Sequence, residues 1–200
     1  MSRRRVLISL SVGLLAGICL RVQAEDRLPE PFVLYQDHDV EAPVLYVPSG
    51  WMGDWGDLNL DMASKEQPYG GTTCLRITYS AKGAQGQRWA GMFWQHPANN
   101  WGDKDEGLDL TGARRLLFMA RGAVGGEVID KFQVGGIRGW FPDTCQVHLG
   151  PITLTSTWQR YVIPLEGKNL SSVIGAFAWA ANSQANPRGF TFYLDEIHFE

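Results

Sequence analysis

From Phe32 onward the apolar residues fall in short runs, most alternating with polar ones at a period of two, and each run is cut by a turn cluster. The runs predict strands over 32–35, 44–47, 58–62, 73–79, 89–95, 116–121, 129–134, 146–149, 152–154, 159–165, 174–181 and 190–199. Glycine-rich breaks separate them, among them 69–71, 83–86, 122–126 and 182–189. A 3.6-residue period shows at most over 110–117, where Gly112 weakens it. Many short strands with such turns predict an all-β sandwich or barrel.

Two strands carry more than the fold. Residues 89–95 alternate Trp89, Gly91 and Phe93 with Ala90, Met92 and Trp94, as a strand covered on both faces does. They run into a loop with Asn99, Asn100 and Trp101, whose amides and indole suit a sugar, since a pyranose has an apolar face and a hydroxyl rim. In 190–199 the parity changes: Phe190, Phe192 and Leu194 share one face, Ile197 and Phe199 the other register. A bulge at Asp195-Glu196 restores one core and re-aims Asp195; the alternative leaves Tyr193 and Asp195 facing solvent on an edge strand.

The amino terminus adds a targeting expectation. Arg3, Arg4 and Arg5, the apolar run 6–20 and Val22-Gln23-Ala24 read as a signal peptide over 1–24, possible also as a twin-arginine type, which predicts a secreted or periplasmic protein. Residues 25–31 read as a mobile lead and 32–200 as a single domain. Cleavage takes Lys plus Arg from 18 to 14 against 21 Asp plus Glu, about −7 in net charge, which argues against nucleic acid or an anionic membrane as partner. No membrane span remains in the mature chain. Cys74 and Cys145 are left, either as a disulfide or as two buried thiols.

The signatures of zinc hydrolases, serine hydrolases, phosphate-binding loops and paired-cysteine sites are absent from the sequence. A glycosidase needs two facing carboxyl groups; Asp54, Asp57, Asp103, Glu127 and Asp130 are the candidates, none in a catalytic motif. Structural calcium is the better use of the acids, with Asp195 the first choice of ligand and Asp37 and Asp39 behind it. The best ligand-binding grouping is Trp51, Asp54, Trp55, Arg88, Asn99, Asn100, Trp101, Arg138 and Trp140, in which indoles recur beside charged or amide groups.

Residues 47–54 (Val-Pro-Ser-Gly-Trp-Met-Gly-Asp), 97–102 (Pro-Ala-Asn-Asn-Trp-Gly), 132–137 (Phe-Gln-Val-Gly-Gly-Ile), 150–155 (Gly-Pro-Ile-Thr-Leu-Thr) and 192–197 (Phe-Tyr-Leu-Asp-Glu-Ile) together resemble a group of exported bacterial β domains. That group is similar to carbohydrate-binding modules of the galactose-binding-like jelly-roll superfamily, nearest to family eleven. The resemblance implies a two-sheet jelly roll, non-catalytic glycan binding and a structural calcium with Asp195 at a ligand position. It does not carry over sugar-contacting residues. The expectation is therefore non-catalytic binding of a polysaccharide or oligosaccharide, with a jelly-roll glycoside hydrolase or lyase and an envelope assembly partner, hence a protein partner, as alternatives.

Overall fold

The computed structural model describes residues 32–37 and 45–200. The strands, in chain order, are β1 (Phe32–Tyr35), β2 (Val47–Gly53), β3 (Leu58–Ser64), β4 (Cys74–Tyr79), β5 (Trp89–Gln95), β6 (Arg115–Gly122), β7 (Val128–Ile129), β8 (Lys131–Gly135), β9 (Gln146–Leu149), β10 (Ile152–Thr153), β11 (Gln159–Pro164), β12 (Gly175–Asn182) and β13 (Phe190–Phe199). One sheet runs β11-β6-β13-β4-β3, with β1 added on β13; the other runs β2-β5-β12-β8-β9; β7 and β10 pair separately. Every pairing between these strands is antiparallel: of the sandwich and barrel that the strand pattern allows, the chain forms the sandwich, the two-sheet jelly roll that the resemblance implies.

The two sheets share one aromatic core. Phe118 meets Phe132 at 4.6 Å and Phe177 at 5.2 Å, and Trp179 meets Phe192 at 5.0 Å between ring centroids, so inward residues of both layers interlock. These rings come from the inward half of each alternating run, such as Phe132 and Val134 between Lys131 and Gln133. Among the described residues no helix is long and apolar enough to cross a membrane.

The parity change in β13 is a bulge, as expected. The register with β6 shifts between Asp195 and His198, and Glu196 has φ +50. On one side of the bulge β13 is flanked by β4, on the other by β1, so the bulge sits where the neighbour changes. β13 is thus interior to its sheet, and both Tyr193 and Asp195 are buried, not solvent-facing on an edge.

Three expectations are corrected. The strand expected over 44–47 is β2, which begins at Val47 and runs through Pro48 and Gly50 to Gly53; its start at Val44 lies outside the described residues. An edge strand tolerates proline because one side of its ladder is free. Gly50 is required by crowding, since a Cβ there would stand 2.7 Å from Phe93 Cβ. The strand expected over 129–134 divides into β7 and β8 at Asp130. Cys74 and Cys145 are separate thiols: Cys74 opens β4 in one sheet and Cys145 precedes β9 in the other. Burial pushes each thiol up to about 11. The signal peptide, the lead over 25–31, His38 and Asp39 fall outside the described residues.

Candidate functional site

The outward face of the second sheet carries the candidate site. In β5 the residues opposite the core side are Trp89, Gly91 and Phe93; in β12 they are Ala178 and Ala180; in β8, Lys131 and Gln133; in β2, Met52. Register places Ala180 beside both Gly91 and Lys131, and Ala178 beside both Phe93 and Gln133. Three small residues in the centre and large ones around them leave a cleft of about 320 Å³, within the lower range of ligand pockets. Gly91 is needed for this floor: a Cβ there would lie 2.5 Å from the carbonyl of Trp179 and 3.1 Å from Met52 Cε.

Two loops raise the walls. After β5, buried Asn100 organises its own turn: Oδ1 accepts the N–H groups of Gly102 (3.0 Å) and Lys104 (3.3 Å), and Nδ2 donates to the Lys104 carbonyl (3.1 Å). Gln95 Nε2 donates to the Asn100 carbonyl at 2.8 Å and ties the turn to the sheet. This leaves Trp101 41% exposed, its ring edge-on to Phe93 at 6.1 Å. The loop after β8 packs backbone to backbone against it. Phe141 N–H donates to the Gly102 carbonyl at 2.9 Å, and a Cβ on Gly139 would meet that same oxygen at 2.6 Å. Asp143 holds the base of this loop by accepting from the amides of Ile137 (2.7 Å), Ile174 and Gly175 (3.2 Å). Its carboxyl is pushed up by burial, with those amides pulling the other way. The rest of the lining comes from Ile137, Arg138 and Gln146. Gln133 is oriented by donating to the Gly135 carbonyl at 2.6 Å, with Gln146 Nε2 3.4 Å from its Oε1.

Of the residues singled out from sequence, the structure brings Trp101 and Arg138 together in this cleft. The others are elsewhere. Asp54 is fully buried and accepts from the amides of Gln85 (2.9 Å), Gln87 (2.8 Å) and Arg88 (2.7 Å), so it clamps the loop before β5 and offers nothing to a ligand. Burial raises its carboxyl, but the donated amides of that loop outweigh this and hold it below the usual range. Asn100 is likewise consumed by its turn. Trp51 alternates with Met52 and therefore lies on the opposite side of β2 from the cleft. Trp55 sits in a 3-10 turn, Trp55–Asp57, and Arg88 (φ +61) in the loop beyond it; neither lines the cleft. Asn99 (φ +60) donates its N–H to Ser49 Oγ at 2.9 Å, and Trp140 stands 90% exposed on the Arg138 loop.

Sequence reading missed Trp89 as a wall, along with Met52, Lys131, Gln133 and Gln146. A signal for the polar ones was present in Lys131-Phe132-Gln133-Val134 and in Gln146-Val147-His148-Leu149, each alternating polar and apolar. A second cleft, of about 630 Å³, opens where β4, the 123–127 loop and the 185–191 segment meet. Its two rings, Tyr79 and Phe190, belong to the core and its partly buried margin, so it has no exposed stacking platform.

The candidate catalytic acids are each engaged by donors of the fold. Asp54 and Asp57 are buried acceptors for separate sets of donors, Asp57 taking Ser80 Oγ at 2.8 Å and the Gly83 amide at 2.7 Å. Asp103 takes the Trp101 amide, Asp130 the side chain of Asn182, and Glu127 the Val124 amide.

At the bulge, Asp195 accepts from the amides of Tyr69 (2.9 Å), Gly70 (3.2 Å) and Glu196 (2.9 Å). Asp37 accepts from the amide and hydroxyl of Thr73 (2.8 and 2.6 Å) and the Thr72 amide (3.1 Å) of the same loop. Burial pushes the Asp195 carboxyl up to about 6, with the Glu196 charge adding to it; Glu196 is itself raised by burial and by Asp37. Both carboxylates are thus occupied by N–H and O–H donors of the 69–73 loop and the bulge, and an ion there would have to share their oxygens with those donors. Among the described residues, no three acids, histidines or cysteines already converge as a metal-holding group.

No protein-family model and no curated protein matches the chain. Solved structures do match. A family 30 carbohydrate-binding module aligns over 85% of this chain and 98% of its own, with a TM-score of 0.59 and 18% identity. The family 30 module of a cellulosomal cellulase of Clostridium thermocellum aligns over 85% and 96%, with a TM-score of 0.57 and 19% identity. The family 11 module of another cellulosomal cellulase of that organism aligns over 84% and 93%, at 0.51 and 14%. The likeness is one of fold, a two-sheet jelly roll.

Proposed function

We propose that this protein binds a polysaccharide or oligosaccharide without altering it, in the cleft on the outward face of the second sheet. The observation that carries the reading is the combination there of Trp89 and Trp101 with Lys131, Gln133, Arg138 and Gln146 around a floor of small residues. Indole faces take the apolar side of a pyranose, and the fixed amides and cations take its hydroxyls. The jelly-roll neighbours, all carbohydrate-binding modules by description, support it. A non-catalytic role is supported by the engagement of each candidate carboxylate by donors of the fold. Export by the signal peptide over 1–24 completes the proposal, since polysaccharides of this kind are met outside the cytoplasm.

The test is affinity electrophoresis of the protein through gels holding a panel of soluble plant, algal and bacterial polysaccharides. Retardation by at least one glycan class, with its chain length unchanged after incubation, is the expected result. Shortened chains would move the reading to a hydrolase or lyase, and a folded protein retarded by none of the panel would overturn it in favour of an assembly partner.

Structural calcium belongs to this proposal. Asp37 and Asp195, with Asp39 outside the described residues, would hold the ion, which supplies positive charge between the 69–73 loop and the bulge of β13. Removing it with a chelator is expected to lower Tm by several degrees, restored by added calcium; an unchanged Tm would assign the role to the loop amides alone.

A further inference from the structure

Resting on that reading of the cleft, we infer that its ligand is an anionic saccharide, one bearing uronate carboxylates or sulfate esters. The lining contains two cations, Lys131 and Arg138, and no Asp or Glu. This is the reverse of the chain as a whole, which has 21 acidic against 18 basic residues. The acids nearest the lining in sequence are bonded elsewhere: Asp103 to the Trp101 amide, Asp130 to Asn182, and Asp143 to three amides beneath the loop. The ion pairs of the described residues, Arg76–Glu66, Arg115–Glu200 and His198–Glu200, leave both cleft cations out.

Cations without an ion-pair partner in a half-enclosed site lose hydration when a ligand covers them, so a neutral sugar would have to bear that cost without return. A carboxylate or sulfate offsets it, through a forked contact to the guanidinium and a point-charge contact to the ammonium. Gln133 and Gln146 then serve the hydroxyls, and Trp101 the apolar ring face. The net negative charge of the chain does not oppose this, because at physiological salt charges beyond about 8 Å are largely screened.

The experiment measures Kd by calorimetry for polyuronate and sulfated oligosaccharides, beside carboxyl-reduced and desulfated forms of the same backbones. An affinity for one anionic series at least about tenfold above its neutral form, falling as salt rises from about 0.05 to about 0.5 M, is expected. Lys131→Gln and Arg138→Gln are each expected to cut that affinity by about tenfold and to flatten its salt dependence, with Tm unchanged as both side chains are solvent-accessible. Which series binds identifies the anion. Equal affinity for charged and neutral forms, indifferent to salt and to both substitutions, would overturn the inference and leave the carbohydrate reading standing. Absence of binding to every form would overturn the inference alone if another polysaccharide of the panel retards the protein, and both readings if none does.

Discussion

Replacing Trp89 and Trp101 together by alanine is expected to weaken glycan binding by about a hundredfold or more, near 3 kcal/mol, while the protein stays folded. The two indoles differ in how they are held. Trp101 rests edge-on against Phe93 and is 41% exposed, so its truncation removes stacking surface with little loss to the core. Trp89 packs over Gly53, where a Cβ would meet its ring at 2.9 Å, and its backbone carbonyl accepts the Asp54 amide at 2.7 Å, a bond that alanine keeps. The single variants should each lose about tenfold, and Trp140→Ala, outside the cleft, should lose nothing. Calorimetry against the retained polysaccharide checks all four. Full affinity in the double variant would remove the cleft from consideration, and a loss in Trp140→Ala equal to that in Trp101→Ala would move the site to the loop tips.

The largest effect on stability is expected at the bulge. Asp195→Ala leaves the amides of Tyr69, Gly70 and Glu196 without their acceptor. Loss of a buried acceptor costs about 1–3 kcal/mol per stranded donor, but relief of the buried charge and water reaching exposed Tyr69 return part of it. A net loss of about 2–3 kcal/mol is expected, read from urea unfolding midpoints. Asp195→Asn, which keeps one acceptor oxygen but presents an NH₂ to the remaining donors, should fall between. An alanine variant as stable as the parent would show that the loop is held by other contacts.

How the sequence relates to these features differs from element to element. Strands 89–95, 146–149 and 190–199 were readable to the residue, because turn clusters bound them and alternation is local. β2 was not: Pro48 and Gly50 are turn residues by local chemistry, and only the edge position and the crowding by Phe93 make them strand residues. The bulge at Asp195 was readable because a parity change needs no knowledge of the partner strand. The site was legible in kind and not in place. The aromatic and amide-rich loops hold Trp51, which the fold turns to the other face of β2, and Asp54 and Asn100, which it ties to its own amides. The actual floor consists of Gly91, Ala178 and Ala180, unremarkable until β5 and β12 align them side by side. Lys131 and Arg138 become a pair only when loops and strands distant in sequence close around them.

The partner change along β13 also bears on the order in which the molecule can be assembled. β1 is paired only to the far end of β13, Phe32 to Phe199 and Val33 to His198, across nearly the whole described chain. During synthesis the first strand therefore has no ladder to join until the last has been made, and the loop-closure entropy of that contact is paid late. Until then β1 has no strand to pair with, and Asp37, just past it, holds the 69–73 loop against the same end of β13 in the finished fold.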